Sequence, residues 1–174
     1  MRRPGEGKET VMPAAVSATL DDLRQSVGRE IARSHWFLVT QEHIAGFAEA
    51  TGDRQWIHVD TERAQRESPY GATIAHGFLT LSLLSRLLSE AVQIRGVSMA
   101  VNYGLNRVRF PAPVIAGSNI RARFTPASVK DVEGGVEVIF WALIEGEQTE
   151  KPVCVAEWVI RYSMKQNADW KEGY

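Results

Sequence analysis

Gly77–Val92, GFLTLSLLSRLLSEAV, decides how the rest of the chain is read. Its leucines recur at the three- and four-residue intervals of an α-helix, and Phe78, Leu81, Ala91 and Val92 extend the apolar character to almost every face. A helix of that kind is expected to be enclosed by protein on all sides, because a bilayer span needs a longer run. Downstream, Val, Ile and aromatic residues mark strands at about 97–110, 118–129, 136–145 and 153–164. Ile120, Ala122 and Phe124 alternate with Asn119, Arg121 and Arg123, the period of a half-buried strand. Gly134, Gly135 and Gly146 supply the reversals. One long helix beside consecutive antiparallel strands predicts an α+β domain whose sheet wraps that helix.

Upstream, Thr19 caps a helix over 20–27 that Gly28 can end, and a strand follows over 31–39. Thr40 caps the next helix, with Ile44, Phe47, Ala48 and Thr51 on one stripe and Gly52 as its stop. From Gly52 to His76 periodicity is lost, and Pro69 and Gly71 break the chain, so this stretch reads as loop with a short helix over 61–66. Residues 1–17, rich in Pro, Gly, Ala and charge, read as a flexible leader in which Met12 could be the natural start. Residues 18–164 form one domain, and 165–174 read as a flexible tail.

Composition narrows the function. The 174 residues carry 20 Lys plus Arg against 21 Asp plus Glu, a net charge of -1, which argues against nucleic acid and anionic membrane surfaces as partners. The single cysteine, Cys154, cannot form an internal disulfide and sits in an apolar run, so it reads as a small buried hydrophobe in a reducing, hence cytoplasmic, protein. The amino terminus lacks the apolar core of a signal peptide.

The polar chemistry concentrates in FAEATGDRQWIHVD, Phe47 to Asp60, and in GATIAHGFLTLSLLS from Gly71. With NYGLNRVRFPAPV (102–114) and KPVCVAEWVIRY (151–162), these segments resemble, in order and spacing, the MaoC-like dehydratases or (R)-specific enoyl-CoA hydratases, in particular their nodulation-protein-N-like branch. The resemblance covers roughly residues 20–162. It implies a single hot-dog fold, a homodimer with a continuous sheet, an acyl-CoA thioester substrate, no metal and no redox cofactor. It also implies addition of water to a trans-2-enoyl-CoA to give the (R)-3-hydroxyacyl-CoA. Asp53 and His58 are then the catalytic pair, Gly77 the main-chain donor to the thioester oxygen, and Ser85 a polar support.

These residue types suit the chemistry. An imidazole can take a proton from water while a carboxylate holds the same water or passes a proton to carbon. Five residues apart on an ideal helix, Asp53 and His58 would lie about 140° apart, so a bent segment must bring them together. Ile57 and Val59 are expected to anchor the histidine in the core. Gly77, opening the long helix, places an N–H among the unsatisfied donors at its positive end. Simpler roles stand beside these: Asp after Gly is ordinary turn chemistry, and His58 between two apolar residues could be a core histidine. Gly77 could serve close packing, and Ser85 could bond a carbonyl one turn earlier.

His76 is read as structural at the helix start, Asp60 and Glu62 as first-turn acids, and His35 and His43 as surface or packing residues. The histidines lack metal-ligand spacing, so no metal site is expected. Gln55 and Trp56 stand where the family often has Asn-Pro, and are expected to line the acyl channel, Trp56 narrowing it. Arg107, Arg109, Arg121 and Arg123 could meet coenzyme A phosphates, with solvated strand faces the preferred reading for most. Two rivals remain. One is a hot-dog thioesterase, for which Glu90 is the candidate carboxylate on the central helix. The other is a non-catalytic acyl-thioester binding or signalling protein.

Overall fold

The structure, a computed structural model, describes residues 15–164. In chain order the elements are β1 (Val16–Thr19), α1 (Leu20–Gln25), β2 (Ala32–Arg33), β3 (Phe37–Val39), α2 (Gln41–Thr51), α3 (Trp56–Val59) and α4 (Thr61–Glu67). Then come α5 (Gly77–Ser82), α6 (Leu84–Ala91), β4 (Val92–Arg95), β5 (Val97–Arg109), β6 (Ser118–Val132), β7 (Gly135–Gly146) and β8 (Cys154–Met164). The main sheet runs β2-β6-β7-β8-β5, with β3 also on β6, and all its pairings are antiparallel. This is the expected α+β layout.

Alternation builds the sheet's two faces. Along β6, Ser118, Ile120, Ala122, Phe124 and Pro126 are buried while the residues between them are half-exposed. Phe124 and Phe140 are fully buried and meet edge to face at 6.3 Å, with Trp158 beside both. Leu84, Leu87, Leu88 and Ala91 of α6 close this core from the inner side.

Four expectations need correction. The helix of 77–92 is not continuous: Leu83 interrupts it between α5 and α6. Nor is it enclosed on all sides, because Ser82, Ser85, Arg86 and Ser89 form an outward stripe and Phe78 is 69% exposed. The strand of 31–39 is split, since Ser34 bonds Ala122 with both its main-chain N–H and its hydroxyl oxygen at 2.9 Å, and the chain leaves the ladder until Phe37. Finally, Val16 and Ser17, assigned to the leader, belong to β1, which pairs in parallel with β4 in a separate two-stranded sheet. Residues 1–14 of that leader and the tail 165–174 lie outside the described residues.

Capping follows the sequence more closely. Thr19 and Asp22 form a reciprocal box at the start of α1, and Thr40 accepts from the His43 N–H at the start of α2. His43 has a definite role here, its Nδ1 accepting from the Thr40 N–H at 3.2 Å. On the expected stripe of α2, Ile44 and Ala48 are buried and Phe47 half-buried, but Thr51 is exposed and donates its hydroxyl to the Phe47 carbonyl. Among the described residues, no helix is long and apolar enough to cross a membrane.

Candidate active site

Gly52 ends α2 in the left-handed region, φ 77°, its N–H bonded to the Ala48 carbonyl at 2.9 Å. A side chain there would be strained, and the turn directs the chain away from the helix axis at Asp53. Asp53 is exposed, and its Oδ1 accepts from the Gln55 N–H at 3.5 Å. Gln55 then starts the one-turn helix α3, its carbonyl accepting from the His58 N–H at 2.9 Å. This turn replaces the expected loop and brings His58 round to face Asp53.

His58 is 8% exposed and held from two directions. Its Nδ1 lies 2.7 Å from the Ile74 carbonyl. A carbonyl only accepts, so Nδ1 carries the proton and Nε2 of the neutral ring is left as an acceptor. The Ile74 N–H returns a bond to the Ile57 carbonyl at 3.0 Å, locking the two segments reciprocally. Gln41 of α2 adds a second tie, donating Nε2–H to the His58 carbonyl at 2.8 Å while its Oε1 accepts from the Thr73 hydroxyl. Ile57 is half-buried, but Val59 is 37% exposed and does not anchor the core as expected.

His76 joins the pair. Its ring stacks on His58 at 3.8 Å between centroids with the planes tilted by 28°. One ligand-type atom from each of Asp53, His58 and His76 lies within 4.8 Å of the others, close enough for one water with hydrogen bonds of about 2.8 Å to span two of them. The sequence reading missed this third member, and it missed Gln41 and Thr73. The signal for His76 lay in its place one residue before Gly77, at the start of a helix whose side-chain cap it does not provide. The three donors resemble a metal ligand set in type. The fold brings them together although their sequence spacing gave no such signal, and their ligand-type atoms all lie within 4.8 Å of one another.

The other expected site residues are dispersed. Gly77 follows His76 directly as the first residue of α5, and a Cβ there would meet the Phe110 ring at 2.9 to 3.2 Å, so close packing is part of its role. Ser85 lies two turns further along, exposed, its Oγ accepting from Asn102 Nδ2 at 3.1 Å rather than bonding a carbonyl of its own helix. It opens on a cavity of about 330 Å³ lined also by Leu81, Leu84, Gly104, Leu105 and Trp158. Gln55 and Trp56 are not among the residues lining that cavity: Gln55 is exposed, and the Trp56 ring carries the Arg63 guanidinium at 4.4 Å. Asp60 caps α4 by accepting from the Arg63 N–H at 2.9 Å, as expected of a helix-start acid. Arg121 and Arg123 pair with Glu145 on the solvated sheet face, in keeping with the preferred reading.

The MaoC like domain matches residues 22–142. The 3-hydroxyacyl-thioester dehydratase Z of Mycobacterium tuberculosis is 49% identical over 142 residues, 81% of this chain and 93% of that one. Nodulation protein N of Rhizobium leguminosarum is 44% identical over 143 residues, 81% of this chain and 89% of its own. Among solved structures, the R-hydratase PhaJ1 of Pseudomonas aeruginosa superposes with a TM-score of 0.63 at 20% identity, over 85% of this chain and 91% of that one, a likeness of the hot-dog fold. The chain belongs to the MaoC-like domain family.

Proposed function

We propose that the chain is a hydro-lyase of acyl thioesters that adds water reversibly to a trans-2-enoyl-CoA, giving the (R)-3-hydroxyacyl-CoA. The observation that carries this reading is the meeting of Asp53 and His58 at water-bridging distance, with His58 held in the tautomer that leaves Nε2 free to accept. The name of the mycobacterial relative, a 3-hydroxyacyl-thioester dehydratase, agrees with the reaction class.

In the proposed step, His58 Nε2 takes a proton from a water oriented by the Asp53 carboxylate as the water oxygen bonds C3. The catalytic pair returns a proton to C2, so one water is added in all. Charge developing on the thioester oxygen is met by the Gly77 main-chain N–H, an interaction of a kind worth about 2.7–4 kcal/mol in the transition state. The step uses neither metal nor redox cofactor. The cavity beside Ser85, apolar apart from Ser82, Ser85 and Asn102, is the proposed place for the acyl chain. We further propose a homodimer formed through β5, which ends the sheet and exposes Met99, Val101, Tyr103 and Leu105. The buried Cys154 is in keeping with a cytoplasmic placement.

Crotonyl-CoA tests the reaction. Loss of the enoyl absorbance without release of free thiol is the expected result, whereas free thiol would indicate a thioesterase and neither change a binding protein. Against thioester hydrolysis, Glu90 is already engaged by Arg86 at 2.8 Å near the far end of α6.

A further inference from the structure

We infer that His76 is a positioning residue of the hydration site, holding Asp53 through its main chain and His58 through its ring; the inference rests on the Asp53–His58 reading above. His76 is 3% exposed and, as the residue preceding α5, makes no capping hydrogen bond with its side chain. The ring turns back across the fold instead. Its Nε2 lies 2.9 Å from the main-chain carbonyl of Asp53, and because that oxygen can only accept, Nε2 is the donor. One face lies against His58, and Phe47 of α2 packs at 5.0 Å between centroids.

Asp53 depends on this tie. It lies on the exposed coil between α2 and α3, where its N–H reaches Thr51 Oγ1 at 3.3 Å and its Oδ1 takes the Gln55 N–H at 3.5 Å. The bond from His76 is the shortest of the three and the one that fastens this residue to a buried group. A carboxylate on a solvated turn samples several directions, so anchoring its carbonyl narrows where the carboxylate can point. The same ring limits rotation of His58, whose Nδ1 is pinned on its other side by Ile74.

Packing alone does not account for a histidine here. His76 Nδ1 is buried and has no hydrogen-bond partner among the described residues. A phenylalanine ring between Phe47 and His58 would bring no such unpaired acceptor into the interior. What an apolar ring cannot supply is the N–H that Asp53 receives.

The test combines three variants with crotonyl-CoA kinetics and thermal melting. His76→Phe keeps a ring and removes the donor, so it should melt at or above the wild-type temperature while kcat falls about 10- to 100-fold and KM stays within about twofold. His76→Gln restores a donor of similar reach and should recover about tenfold of that loss. In an Asp53→Asn background, His76→Phe should cost less than about threefold, because the residue acts through the carboxylate already removed. Wild-type kcat in His76→Phe, an undiminished loss in the Asp53→Asn background, or a Gln variant slower than the Phe variant each overturns the proposal. So does failure of His76→Phe to fold, which would make the residue a packing element. A wild-type protein that leaves crotonyl-CoA unchanged would instead remove the parent reading, and is seen before any variant is made.

Discussion

Replacing Gln41 by leucine removes the polar tie between three segments of the site while leaving their apolar packing nearly intact. Gln41 donates to the His58 carbonyl at 2.8 Å and accepts from Thr73, whose residue is only 2% exposed. Each neutral hydrogen bond lost costs about 1 kcal/mol net, and the Thr73 hydroxyl, left buried without its partner, adds about 1–2 kcal/mol. The sum, about 3–4 kcal/mol, corresponds in a chain of this size to a fall in melting temperature of roughly 6–16 °C. Because the His58 ring remains bonded to Ile74, substrate binding should persist, so the kinetic effect should fall on kcat, by about tenfold, with KM nearly unchanged. Calorimetric melting and crotonyl-CoA turnover measure the two effects, and Gln41→Glu serves as a control that keeps the acceptor for Thr73 but not the donor to His58. A Gln41→Leu protein that melts within about 1 °C of wild type and turns over at its rate would refute the reasoning.

Asp53→Asn and His58→Gln should each lower turnover by roughly 10²- to 10⁴-fold with circular dichroism unchanged, and near-normal rates in either variant would take that residue out of the mechanism. Placing charge on the free edge strand, as in the double variant Val101→Lys, Tyr103→Glu, should convert a dimer to monomer in light scattering; a wild-type protein already monomeric at tens of micromolar would end the proposal of pairing through β5. Burial pushes the Cys154 thiol up to about 11, so iodoacetamide at pH 8 should leave it unmodified in the native protein and label it fully in concentrated urea, which mass spectrometry reads directly.

The middle of the sheet was legible because β6 and β7 each have one wet and one dry face: the alternation through Ile120, Ala122 and Phe124 is a local pattern that needs no knowledge of the partner strand. Thr19 and Thr40 were legible for a similar reason, since a cap acts within one turn. The helix over 77–92 shows where that logic runs out. Its leucines suggested enclosure, yet Ser82, Ser85, Arg86 and Ser89 align on one side, and only tertiary packing decides that this side stays outward. Asp53 and His58 came from a motif. Gln41 and His76 act on the site from 17 and 18 residues away from His58 through bonds to main-chain atoms, and Thr73, 15 residues away, acts through the Gln41 side chain, so none of the three leaves an imprint on side-chain spacing. The pairing of β1 with β4 was hidden for the same reason: two short segments, neither with a period long enough to read, meet only once the intervening chain has folded.

That pairing orders events during synthesis. Val16 has its register partner at Val92, so, among the described residues, β1 cannot form its ladder until both segments of the central helix have been synthesised. Leu20 and Leu23 of α1 reach the sheet core at β6 later still. An expression start placed after residue 19 would spare the chain this wait but leave the edge of β4 open to strangers.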